Sequence, residues 1–341
     1  MASQATVPDE VLLDHGSGAK LSHELLSLIV ETLGDVYIGE MEDSAMLSIP
    51  AGQIAMTTDS FVVDPPFFGN GDIGKIAVCG TVNDLAVVGA RPLYLTLGMI
   101  LETGLPIPRL VQVLTSIRET AREAGVQIVA GDTKVVRKGE ADQIYLNTAG
   151  VGVFERAPLR MRDVRPGDRV ILSGPIGNHT VHLLSIREGL GFEQRVLSDC
   201  APLNGILDEL LSTVGEGGVH SVRDVTRGGL AAVLHEYAGQ TGRTIRIEKE
   251  KLPIQFETVM ATDMLGINAI HAANEGCMCL FVDPSVEQEV LAALRSHKYG
   301  ASAVTIGEVT EEAEPIVLMR SADGRDSVVE ELEGSELPRL C

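Results

Sequence analysis

The residues that could do chemistry are spread along the whole chain. Cys341 stands at the end of an acidic tail, SELPRLC, where a thiol adds to no core and where an exposed free cysteine is ordinarily avoided. A covalent carrier would explain it; an incidental thiol at a frayed end is the plain alternative. Four aspartates form a second group: Asp43 in MEDSA, Asp59 at the end of QIAMTTDS, Asp84 inside the apolar helix AVCGTVNDLAVVGA, and Asp132 at the end of VQIVAGDTK. A carboxylate within an apolar helix needs a cation or several donors to compensate it. Strand-end carboxylates converging from several elements would make an all-oxygen site for Mg²⁺, which in turn holds the phosphates of a nucleotide. Turn capping is the alternative for each aspartate taken singly.

Further candidates sit near these. Lys134, two residues beyond Asp132, could meet a phosphate or an oxyanion as a point charge, or could be a solvated lysine. The stretch HGSGAK, His15 to Lys20, offers flexible N–H groups and a lysine but lacks the spacing of a P-loop. In RDVTRGGL a strand end leads through Thr226 and Arg227 into Gly228 and Gly229, which open a helix. That suits an anion at a helix N-terminus, and equally a tight strand-to-helix turn. Glu275 in ANEGCMCLFV precedes a strand, a position that suits a general base, although loop glutamates are usually only solvated. Cys277 and Cys279 alternate along that strand with nothing nearby to complete a tetrahedral metal set.

Elements that would position these groups follow from periodicity. An amphipathic helix follows the Gly-rich loop, with Leu25, Leu28, Ile29 and Leu33 near one face. AMLSIP and QIAMTTDSFVV read as strands, a helix runs from about Gly71 to Val88, and the strand LYLTLGMIL leads to a helix from about Pro108 to Ala124. VQIVAG and QIYLNTAGVGVF complete an α+β module. After the linker ERAPLRMRDVRPGD come strands RVILSG, GVHSVRDV, TIRIE, CMCLFVD, AVTIGEV and PIVLMR, with helices near 177–189, 203–213, 228–239 and 284–297. The expected division is a loop and helix over 1–42, one module over 43–155, a second over 156–320, and a flexible tail over 321–341.

Composition narrows the function classes. The 341 residues carry a formal net charge of −21 and no long basic run, which argues against nucleic acid and anionic membranes as partners. No stretch approaches the roughly 20 apolar residues of a spanning helix. Five cysteines without a CxxC read as reduced thiols rather than a disulfide framework, so a cytoplasmic protein is expected.

Taken in order, MEDSA, TTDSFVVDPPFF, GDIGKIAVCGTVNDLAVVGARP, AGDTKVV, RDVTRGGL, NEGC and PRLC closely resemble the hydrogenase-maturation carbamoyl dehydratases, the HypE family. That family shares its superfamily with aminoimidazole ribonucleotide synthetase, selenophosphate synthetase and thiamine-monophosphate kinase. The resemblance spans essentially the whole chain. It implies the two-domain fold of that superfamily, a homodimer whose first modules pair into a barrel, and ATP with Mg²⁺ near that interface. It also implies that Asp43, Asp59, Asp84 and Asp132 bind Mg²⁺ and phosphates, that Lys134 and Glu275 take part in the chemistry, and that Cys341 carries the substrate. A partner carbamoyltransferase would load the thiol; ATP-driven dehydration would turn the thiocarboxamide into a thiocyanate; and an iron-carrying scaffold complex would receive the cyanide. A synthetase of the same superfamily acting on a free small molecule is the rival. A selenium-handling relative would be expected to carry a cysteine near the Gly-rich loop, and residues 1–40 contain none.

Overall fold

The computed structural model describes residues 9–16, 20–38, 49–50, 52–331 and 339–341. Helix α1 (Lys20–Leu33) precedes a four-stranded sheet ordered β1-β4-β2-β3, built from β1 (Ile54–Phe61), β2 (Arg91–Glu102), β3 (Gln127–Val136) and β4 (Ile144–Val153). Between strands lie α2 (Ile73–Val87) and α3 (Ile107–Ala124); β2 and β3 run parallel because α3 carries the chain back across the sheet. Asp72 starts α2 by accepting from the N–H groups of Gly74 and Lys75, at 2.9 and 3.1 Å. Nearly every residue of α2 is buried, as an apolar sequence without an amphipathic stripe requires. It packs on β1 and β4 on one side and α3 on the other, and among the described residues no helix covers the far face of the sheet. That face exposes Met56, 72% accessible, with Ile54 and Ile100.

The second module is a seven-stranded sheet ordered β11-β10-β7-β9-β5-β8-β6. Its strands are β5 (Arg169–Leu172), β6 (Val219–Asp224), β7 (Ile245–Glu248), β8 (Met278–Val282), β9 (Val304–Val309), β10 (Val317–Arg320) and β11 (Asp326–Val328). Strand β8, between β5 and β6, is buried on both faces. Cys279 and Phe281 meet Leu234 and Tyr237 of α6 (Gly229–Thr241), while Met278, Leu280 and Val282 meet α5 (Asn204–Val214) and α8 (Glu287–Ser296). The pair Cys277 and Cys279 thus faces one core layer, as alternation along a strand dictates. Helix α4 (Asn178–Glu188) lies toward the first module.

Three sequence expectations change. The helix α7 (Phe256–Leu265) is absent from the reading above because its pattern is inverted: Thr258, Ala261 and Thr262 face inward while Phe256, 73% accessible, Met260 and Met264 face out. Strand β3 continues to Val136, so Asp132 sits within a strand and not at its end. The segment after Arg320, expected to be tail throughout, first adds β11 to the sheet edge, where Asp326 meets both Arg320 and Arg246 and Val329 is buried. The expected strand AMLSIP lies mostly outside the described residues.

Candidate active site

Helix α2 brings the first carboxylates together. At Gly80 a side chain would press on the Phe61 ring at 3.0 Å, so the missing Cβ lets the helix approach β1 closely. One turn later on the same face, Asp84 accepts a hydrogen bond from Thr57 Oγ1 at 2.8 Å and stands against Asp59. Burial, followed by the charge of Asp84, pushes the Asp59 carboxyl up to about 6, with Arg227 opposing. Asp224, the last residue of β6, points into the same region; burial and the charge of Asp84 push it up to about 7. A 520 Å³ cleft between the modules reaches Asp84 and Asp224.

The next residue back, Asn83, ties the modules. Its amide donates to the Ala201 carbonyl at 3.1 Å and accepts from the Leu203 N–H at 2.7 Å. The loop Ser198–Cys200 lies just before this tie and holds Glu275 in place. Asp199 accepts from the N–H groups of Glu275 and Gly276 at 3.0 and 3.1 Å, and a Cβ on Gly276 would fall 1.9 Å from the Asp199 carbonyl oxygen. Asn274 accepts from Gly177 N–H and donates to the carbonyls of Val225 and Ala272. The backbone is therefore fixed on both sides of Glu275. Its side chain is 3% accessible and, among the described residues, has no hydrogen-bond donor. Burial first, then the neighbouring Cys200, Asp199, Asp224 and Asp59, push its pKa well above the usual carboxylate range.

Cys341 comes to this carboxylate. Burial pushes the thiol up to about 12, and among nearby charges Glu275 adds most, Arg227 opposes, and Asp59 adds again. Val62 N–H donates to the Cys341 carbonyl oxygen at 3.1 Å and Asp64 N–H to that of Arg339 at 3.0 Å, so residues 339–341 extend β1 as a short antiparallel partner. Leu340 is 5% accessible and joins the core of the first module. Arg339 donates to the Val62 carbonyl and pairs with Asp142 at 2.7 Å.

The structure thus joins Cys341, Glu275, Asp59, Asp84 and Arg227, but not every candidate. Asp132 and Lys134 pair with each other at 2.6 Å on the exposed outer side of β3, at the mouth of a 310 Å³ pocket lined also by His15 and Leu25. Register places Asp59 beside Thr148, Thr148 beside Leu97 and Leu97 beside Gly131, so Asp132 points to the opposite face three strands away. Asp43 and residues 17–19 of the Gly-rich loop lie outside the described residues, and among those described no three carboxylates, imidazoles or thiols gather into a metal cage. Gly229 is required by packing, since a Cβ would meet the His271 backbone at 2.6 Å, and its N–H already donates to the Thr226 carbonyl at 2.9 Å. Of RDVTRGGL, the Arg227 side chain is what reaches the site; Gly228, in left-handed backbone, and Thr226 shape the turn.

Sequence reasoning passed over Asp224, Asp199, His179 and Arg187. Asp224 carried the same signal as the other strand-end aspartates; the remaining three act through partners distant in sequence.

Comparison with known proteins agrees with this architecture. Residues 41–154 match the family model of the AIR synthase related protein N-terminal domain, and residues 165–320 that of its C-terminal domain. Carbamoyl dehydratase HypE of Azotobacter vinelandii is 40% identical over 329 residues, 96% of each chain. The Escherichia coli K12 protein of that name is 39% identical over 340 residues, 98% of this chain and 100% of the relative. Among solved structures, HypE in complex with ATP aligns with a TM-score of 0.92 at 40% identity, over 97% of this chain and 99% of the other. The HypE chain of a HypE–HypF complex aligns with a TM-score of 0.79 at 42% identity, over 92% and 100%. With both halves matched by domain models and relatives aligned from end to end, the chain belongs to the HypE family of hydrogenase-maturation carbamoyl dehydratases.

Proposed function

We propose that this chain is an ATP-dependent dehydratase whose substrate is a carbamoyl group carried on its own Cys341, converting the thiocarboxamide to a thiocyanate. The observation that carries the reading is the docking of residues 339–341, which brings the Cys341 thiol within electrostatic reach of Glu275, Asp59 and Arg227. A carboxylate pair fits Mg²⁺, which usually takes one or two protein carboxylates and completes its shell with water and substrate phosphates. Asp59 and Asp84 are such a pair, and the pKa of Asp59, raised by burial first and then by the charge of Asp84, marks a carboxylate that a cation would stabilise. MgATP, when bound, supplies the phosphoryl group that makes the carbamoyl oxygen a leaving group.

The remaining work falls to the chain's own residues. Two protons must leave the carbamoyl nitrogen as the triple bond forms; Glu275 takes the first and the departing phosphate oxygen the second. Its raised pKa makes it a stronger base than an ordinary carboxylate once it is ionised. Arg227 balances negative charge near the sulfur and oxygen. Closed packing around Glu275 and Leu340 keeps bulk water from the nitrile carbon.

Lys134 and Asp132 enter through the homodimer. The open sheet face, with Met56, Ile54 and Ile100 exposed, suits pairing with a second copy. Such pairing brings β3 of one protomer toward β1 of the other, and Lys134 then neutralises phosphate charge at the partner's site. Partners of the reaction are a carbamoyltransferase, in keeping with the HypE–HypF complex, and an iron-carrying scaffold that accepts the cyanide.

Mass spectrometry of the peptide ending in Cys341, after carbamoylation and addition of MgATP, tests the reading. Loss of one water from the carbamoylated peptide with formation of ADP is expected, and neither Cys341→Ala nor Glu275→Gln yields the cyanated peptide. Persistence of the carbamoyl group in wild-type protein that binds ATP overturns it.

A further inference from the structure

Besides the segment after β1, one helix holds the main chain of the tail. His179 of α4 is fully buried and uses both ring nitrogens: Nε2 meets the Leu340 carbonyl oxygen at 2.8 Å and Nδ1 meets Ser198 Oγ at 2.7 Å. A carbonyl can only accept, so Nε2 carries the hydrogen. Nδ1 then accepts from the Ser198 hydroxyl, whose oxygen in turn accepts from Cys200 N–H at 3.2 Å. Two turns along α4, Arg187 donates from Nη2 to the Arg339 carbonyl and from Nε to the Asp64 carbonyl, the latter at 2.5 Å. The Phe68 ring stands edge-on to His179, and Asn70 clamps Ser198 by donating to its carbonyl at 2.8 Å and accepting from its N–H at 3.2 Å.

We propose that His179 and Arg187 are positioning residues that latch the carbonyls of Leu340 and Arg339, and thereby set the Cys341 thiol against Glu275. The proposal rests on reading Cys341 as the substrate carrier. Its strength is the shared loop: Ser198 orients the latch, and Asp199, the next residue, orients the backbone of Glu275. Three consecutive residues therefore fix both the arm and the base. The side chains of Leu340, in its apolar seat, and of Arg339, on Asp142 and the Val62 carbonyl, add to the hold, but His179 and Arg187 touch only main chain. His179 and Arg187 touch nothing that sulfur carries, so the latch itself does not distinguish free, carbamoylated and cyanated arms.

Alkylation with iodoacetamide reads the latch without relying on the dehydratase chemistry. Cys79, Cys200, Cys277 and Cys279 are buried and Cys341 alone is partly accessible, so modification of the native protein reports the arm. A seated thiol is shielded and its ionisation is suppressed; a released one is exposed and ionises far more readily. Loss of a hydrogen bond to a buried carbonyl should speed Cys341 alkylation about ten-fold or more in His179→Leu. His179→Gln, which keeps an N–H within reach of Leu340, should stay near the wild-type rate. Arg187→Met should also accelerate alkylation. Arg187→Met, which removes the second contact, keeps the test open should His179→Leu fail to fold. Equal rates in folded His179→Leu and wild type, or in Arg187→Met and wild type, overturn the latch. Equal acceleration in His179→Gln and His179→Leu also overturns it, by reducing His179 to packing. Protection that depends on His179 in a protein that fails to dehydrate its carbamoyl group would uphold the latch and sink the dehydratase reading alone.

Discussion

Asp224 should make the cation-free protein less stable as pH rises, and removing its charge should reverse that. Its carboxyl is buried and pushed from 3.8 up to about 7, first by burial and then by Asp84, with Arg223 opposing. A carboxyl whose folded pKa lies above its unfolded value destabilises the fold when ionised, and the penalty fades as pH falls toward the unfolded pKa. At pH 8 the shift of about three units corresponds to roughly 4 kcal/mol; at pH 5, where the unfolded chain is ionised but the folded carboxyl is protonated, it is roughly 2 kcal/mol. Asp224→Asn keeps the shape and cannot ionise. Its urea-unfolding free energy without Mg²⁺ should therefore exceed that of wild type, by roughly twice as much at pH 8 as at pH 5. An advantage independent of pH, or a variant less stable than wild type at pH 8, would refute the reasoning. Added MgATP should shrink the advantage, because wild type gains from neutralisation at this cleft and the variant gains less.

Other expectations can be checked in parallel. If Lys134 serves the partner's Glu275, a heterodimer of Lys134→Ala and Glu275→Gln chains regains one intact site, about half of wild-type turnover, whereas each homodimer is inactive; no recovery means that both residues act within one chain. Gly276→Ala should displace Glu275 because its Cβ has no room beside the Asp199 carbonyl, lowering stability by about 3 kcal/mol or more and abolishing thiocyanate formation; a crystal structure with Glu275 unmoved would contradict this. Burial lowers the pKa of His179 from 6.5 to about 4, so the fold loses stability as pH falls between those values, on the order of 3 kcal/mol in all. His179→Gln should lose less over that range in thermal scans, and an identical acid profile would show that His179 does not titrate on unfolding.

Much of the architecture was legible because its signals are local. The helix starting near Gly71 could be read from an apolar run closed by Gly89 and Pro92, and β8 from an unbroken apolar stretch. Helix α7 was not, because periodicity places apolar residues inward and this helix hides threonines instead; Thr258 is buried on Asn178 at 2.7 Å. Residue types and spacing picked out Asp59, Asp84 and Glu275, but could not separate Asp132 from them. Only strand register shows that Asp132 faces the other way. The grip on the tail was equally hidden, since His179 and Leu340 are 161 positions apart and nothing in either neighbourhood points to the other.

One pair of consecutive residues has a genetic consequence. Asn83 fastens the chain just after the loop that orients His179 and Glu275, while Asp84 faces the proposed nucleotide side, and both project from the same turn of α2. A lesion that slides or tilts this helix moves both ends of the reaction at once. Random mutagenesis of Ile73–Val87 should therefore yield mixed phenotypes, impaired in nucleotide response and tail protection together, and seldom alleles that separate the two.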